Sequence, residues 1–234
     1  MTNPARRLEK ILAPHHAQHH EWWCWLLASG GADGWRRVAV QVYHFMRLSN
    51  ELLRAALEEN SRRGFGQAPF EAWARAHAEE EGEHPAWLLE DLSVAGCHRE
   101  AILASQPDEE LRALARSQLA LLQDSHPTAV LGLYFATECH PPDAGALLGM
   151  ARRLGLPKEC LRTLLHHSHV DPAHGKEIHQ LVAAYGGEPA HFRAMAHGAL
   201  QSINSWIQLL QRYSAEAMAA PSARRGPEPL RARA

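Results

Sequence analysis

Cysteine is scarce and scattered: four residues in 234, Cys24, Cys97, Cys139 and Cys160, with no C-x-x-C pair. That spacing excludes a thioredoxin-type redox motif and a zinc knuckle, and fits reduced thiols in a cytoplasmic setting. No apolar run approaches the roughly 20 residues that span a bilayer, so no transmembrane helix and no membrane partner are expected. Residues 1–10 are polar and basic and lack the apolar stretch of a secretory signal. A formal net charge of −2 gives no electrostatic footprint for nucleic acid. β-Branched residues are sparse and period-two alternation is short-lived, so strands are not expected.

What remains is helical. Ala, Leu, Arg, Glu and Gln dominate, and apolar residues recur at helical spacing. The pattern predicts helices over about 15–28, stopping at Gly30-Gly31, over 33–60, and from Pro69 to near Gly96. Pro107 with its acidic followers opens another, and Pro127 opens one ending at Glu138 before Pro141-Pro142. Asp143 caps a short helix ending at Gly155. Further helices are predicted from Pro157 through His167, from Pro172 to Tyr185, and over about 189–218. The fold class implied is all-α, a single compact bundle of seven or more helices over 1–218. The tail, 219–234, is rich in Pro, Arg, Ala and Gly and is expected to be disordered. Bundles of this kind build metal and ligand sites in the core from side chains on facing helices.

Histidine is the outlier: 17 residues, against 24 lysines and arginines together. The sharpest motif is His167-x-x-x-Asp171-x-x-His174, followed by Gly175, whose spacing puts three donors on one helical face. Two imidazoles and a carboxylate on one stripe can grip a divalent transition metal. The competing reading is a polar, solvent-facing stripe. Pro172 biases Asp171 away from helical angles, so the helix is expected to kink or break there. Asp171 has a second reading as an N-cap. Glu81-x-x-His84, inside a run of glutamates, is a pair that recurs in helical di-iron carboxylate proteins. Its competitor is a solvated acidic run. Glu138 ends the apolar stretch Val130–Phe135; buried, it needs a partner or a metal, and otherwise it is a surface helix end. The segment His15-His16-x-x-His19-His20 reads more simply as a surface cluster than as another metal site.

In their order and spacing these motifs resemble the haem-oxygenase-like di-iron oxidases and oxygenases. Those enzymes form one branch of a fold that the thiaminase TenA and the pyrroloquinoline-quinone synthase PqqC share. The resemblance runs from Trp35 through Gln41-Val42-Tyr43-His44 to Leu209. It implies two non-haem irons, Fe(II) or Fe(III), held by Glu81 and His84, by Glu138, and by His167, Asp171 and His174, with dioxygen as co-substrate. TenA and PqqC keep a similar Asp-x-x-His-Gly segment without iron, so the six residues matter as a set.

The activities the resemblance implies are N-oxygenation of amines, oxidative cleavage of amino acids and decarboxylation of fatty acids. Trp22, Trp23, Trp25, Tyr43, Trp73 and Tyr134 near the predicted core favour a small polar or aromatic substrate, although ordinary core packing also accounts for such residues. An amine or amino-acid-derived compound is therefore expected, with Tyr43, Tyr134 and His77 as candidate contacts. An external electron donor and a homodimer are compatible with this reading. Two rivals stand beside it: a metal-free enzyme of the TenA or PqqC kind, with Cys139 as the thiol beside the site, and a helical binding protein without catalysis.

Overall fold

The computed structural model describes residues 3–219, so all but the first residue of the expected disordered tail lies outside the described residues. Nine α-helices and three short 3-10 turns, and no strands, are found among them. The first helix, α1, spans Pro4–Arg63. Asn3 starts it by accepting from the amides of Ala5 and Arg6 at 2.9 and 3.3 Å, with Pro4 in the first turn. Gly64, at φ 65°, closes it in the left-handed conformation.

Two helices are expected over this stretch, the first from residue 15. The structure instead begins at Pro4, runs through Pro14 and departs from helical angles at Gly31 (φ 56°, ψ −142°). The early start follows from Ala5, Leu8 and Leu12, which share one face and are at most 2% exposed. That buried stripe outweighs the basic residues between them.

Next come α2 (Ala68–Glu80), a 3-10 turn (Glu81–Glu83) and α3 (His84–Val94), where one continuous helix is expected. The short α4 (Arg99–Ala104) has no counterpart in the sequence reading. α5 (Glu109–Asp124), α6 (Val130–Glu138) and α7 (Ala144–Leu154) lie where their caps place them, and Asp143 accepts from the amide of Ala146 at 2.8 Å. α8 runs unbroken from Arg162 to Tyr185, with Pro172 inside it, and α9 spans Pro189–Ala219. The expected break at Pro172 does not occur. Proline forgoes one bond to the Ser168 carbonyl, and Ser168 is only half-buried, so water can take that bond.

Two apolar clusters flank the middle of the bundle. The larger joins α1, α2, α5, α6, α8 and α9 around Phe70, Leu122, Phe135, Ile178 and Leu210. The smaller packs Trp35, Tyr43 and Met46 of α1 on Leu88 and Leu92 of α3 and on Leu147 and Met150 of α7. Each fully buried Leu or Phe contributes about 1.5–3 kcal/mol. No helix among the described residues is long and apolar enough to cross a membrane.

At one rim, Arg212 of α9 reaches the start of α5, donating to Glu110 at 2.7 and 2.9 Å and to Asp108, which also accepts from the Tyr213 hydroxyl at 2.6 Å. The Arg212 guanidinium holds the Glu110 carboxyl below the usual carboxylate range. Burial pushes Asp108 up, but Tyr213 and Arg212 bring it down overall. Depressed folded-state values mean stability that is present at neutral pH and lost as pH falls through them. Arg212→Met is therefore expected to cost about 1–2 kcal/mol at pH 7, after discounting for its partial exposure. The deficit should shrink as denaturant melts are repeated below the ordinary carboxylate range; a deficit independent of pH would contradict the assignment.

Candidate metal centre

The centre forms where three chain segments face one another between the clusters. α2 ends at Glu80, and the tighter turn that follows swings Glu81 inward; Asn50 of α1 holds the Glu81 carbonyl at 3.0 Å. His84 opens α3 on the same side. Of the acidic run, Glu81 is buried while Glu79, Glu80 and Glu83 stay exposed. Glu138 is the last residue of α6, where the helix dipole disfavours a carboxylate. At 8% exposure that position calls for a positive partner. α8 supplies His167, Asp171 and His174 from one face. Asp171 lies mid-helix, so its reading as an N-cap is overturned: its carboxylate accepts from His167 Nδ1 at 3.0 Å.

All six residues expected from the motifs converge. His84 Nδ1 lies 2.7 Å from Glu81 Oε2, and His167 Nε2 lies 3.8 Å from the same oxygen. His174 Nδ1 is 3.5 Å from Glu138 Oε2 and 3.7 Å from Asp171 Oδ1. Two donor groups result, Glu81–His84–His167 and Glu138–Asp171–His174, and a third, His77–Glu81–His174, connects them. Within each group the donor atoms lie within 4.8 Å of one another.

The electrostatics are those of a cage whose charges cancel in pairs. Burial pushes Glu138 up, but His77 and His174 overrule it and hold it at about 2. The carboxylates of Asp171 and then Glu138, close to its ring, raise His174 to about 11. His167 is also raised: burial lowers it, but Asp171 and then Glu81 prevail. The pairing is incomplete. Glu81 Oε1, Glu138 Oε2, His167 Nε2 and His174 Nδ1 are buried without a hydrogen-bond partner among the described residues. Orphaned buried acceptors cost about 1–3 kcal/mol each, so the cluster is not arranged for the stability of the metal-free chain. Carboxylates and imidazoles without a thiolate suit iron or manganese. The donor set fits such an ion.

Residues 36–207 match the family model described as iron-containing redox enzyme. The chain belongs to that family. Its role is thus that of an iron-containing oxidoreductase, and its cluster supplies donors appropriate to the metal. A domain of unknown function with a heme oxygenase-like fold from Shewanella denitrificans has a TM-score of 0.64, at 16% identity, covering 92% of this chain and 90% of that one. At that identity the likeness carries the fold alone, which is haem-oxygenase-like here as well. Among curated proteins none matches.

The candidate substrate contacts lie deeper than their expected role suggests. Tyr134 is 1% exposed and its hydroxyl donates to the Ser49 carbonyl at 3.0 Å. Tyr43 packs in the smaller apolar cluster. His77 is buried, stacked on Trp73 at 5.1 Å, and its Nε2 lies 3.2 Å from Glu138 Oε1.

The sequence reading missed Glu80, which pairs with His174 Nε2 at 3.2 Å from a half-exposed position. Such a partner fixes an imidazole so that its other nitrogen faces the centre. The signal was only its place beside Glu81. Of the His15–His20 segment, His15 bonds Asn204 at 3.0 Å, His16 packs against His140 at 4.1 Å, His19 is half-buried and His20 is exposed; none belongs to a metal-capable group among the described residues.

Proposed function

We propose that this chain is a non-haem di-iron oxygenase or oxidase acting with dioxygen on a small amine or amino-acid-derived compound, by N-oxygenation or oxidative cleavage. The observation that carries the reading is the sharing of Glu81 between two donor groups, since a carboxylate in that position can serve two ions. Glu81, His84 and His167 would hold one iron; Glu138, Asp171 and His174 would hold the other. Bound there, reduced iron would supply the electrons and open positions that dioxygen chemistry needs.

The chain's own part is positional. Its apolar clusters keep the cage dry, which strengthens every charge interaction inside it. Glu80 orients His174, and the Asn50 amide fixes the turn that carries Glu81. An open groove of about 410 Å³ reaches the cage at Asp171 and is lined by Pro172, Gly175, Lys176, His179, Gln180 and Cys139. Lys176, His179 and Gln180 give its lining polar groups with which the carboxylate of an amino acid could pair. A metal-free thiol mechanism has less support: burial pushes the Cys139 thiol well up, and its Sγ lies 3.8 Å from the Gly175 carbonyl, so little thiolate is available.

The test is oxygen uptake by iron-loaded protein with an external reductant, across a panel of amines, amino acids and fatty acids. Acceleration by an amine or amino acid is the expected result. Acceleration by fatty acids alone would overturn the substrate class. No acceleration by any compound would favour a binding protein.

A further inference from the structure

The residues ahead of α3 and those of α8 carry the same pattern twice. His77-x-x-x-Glu81-x-x-His84 and His167-x-x-x-Asp171-x-x-His174 both read His-x-x-x-acid-x-x-His. The two copies meet head to tail. His84 of the first faces His167 of the second, ring centroids 4.8 Å apart at 85°. His77 of the first faces His174 of the second, 4.8 Å apart at 72°. The centre is therefore nearly two-fold: two histidine pairs, each contributed half by one copy and half by the other, with Glu81 and Asp171 at the middle of their copies.

In that arrangement His77 stands to His174 as His84 stands to His167. It is buried to the same degree, 3% exposed against 1%. Like the other cage histidines it pairs with a cage carboxylate, Glu138 at 3.2 Å. With Glu81 and His174 it completes a donor group within 4.8 Å. Trp73 stacks on its ring and Tyr134 meets it edge-on at 4.8 Å, so the imidazole is fixed before any ion arrives.

We infer that His77 is itself an iron ligand, to the ion shared with His174, so that the cage comprises four histidines and three carboxylates. The inference rests on the two-iron reading above and adds a ligand to it. Each ion then has two imidazoles, and Glu138 is the group that distinguishes them.

The decisive measurement is anomalous scattering from crystals of the wild-type protein loaded anaerobically with Fe(II). His77 is expected to have a ring nitrogen roughly 2.0–2.3 Å from one ion. Two ions with His77 outside the coordination shell of both would overturn its assignment and leave the two-iron reading intact. Fewer than two ions would overturn both. In solution, His77→Gln is expected to weaken binding of one iron equivalent about 100-fold or more and to leave the other unchanged. Two equivalents bound with unaltered affinity by a folded His77→Gln protein would also contradict it.

Discussion

Glu81→Gln is expected to abolish retention of both irons and to lower turnover more than about 100-fold, a loss beyond what displacing a supporting residue around a metal produces. Glutamine keeps the shape of the side chain and removes the charge. Oε2 now sits 2.7 Å from His84 and 3.8 Å from His167, and Oε1 is buried without a partner. A shared carboxylate is the one position whose neutralisation weakens two ions at once, whereas His84→Gln should impair mainly one. The metal-free fold should tolerate the change, because it removes a buried charge with an unsatisfied oxygen. Iron analysis beside a thermal melt separates the cases: metal lost with the melt intact supports the assignment, and two irons retained would refute it.

Gly132→Ala should be the most damaging small substitution in the described chain. A Cβ there would meet the carbonyl oxygen of Met195 at 1.9 Å, its carbon at 2.8 Å and the amide of Ala199 at 2.9 Å. All three are backbone atoms of α9, so no rotamer change relieves the clash and the helices must separate. Overpacking of this kind costs about 3 kcal/mol or more. Since α6 ends in Glu138, the displacement reaches the cage as well. Gly149→Ala makes the control. That glycine lies in α7, and its added Cβ would come no closer than 3.6 Å to the Arg153 side chain. Removing a mid-helix glycine there should stabilise by up to about 1 kcal/mol. Opposite signs in urea melts would support the packing described; a tolerated Gly132→Ala would contradict it.

The helical architecture and five of the six candidate ligands were legible in the sequence because both rest on short-range periodicity; Glu138, a lone carboxylate, came in through the family resemblance. His167, Asp171 and His174 share a face for the same reason that Leu8 and Leu12 do. What was not legible depends on partners distant in the chain. Pro172 argues locally for a break, yet the neighbours of α8 hold it helical through the proline. The spacing to His84 marks Glu81 within the acidic run, but its burial depends on the turn after α2 and the bond from Asn50. His77 reads in sequence as a substrate contact because a single histidine gives no indication of what it faces. Its pairing with His174 depends on two segments crossing head to tail. The repeated His-x-x-x-acid-x-x-His pattern was a usable sign of that pairing.

The central claim is a two-iron cage built from these residues, and anaerobic titration of the metal-free protein with Fe(II) tests it most directly. The account predicts an end point of two irons per chain for the wild type and loss of both in Glu81→Gln. An end point of one or none in the wild type, in a folded and fully metal-free preparation, would contradict it.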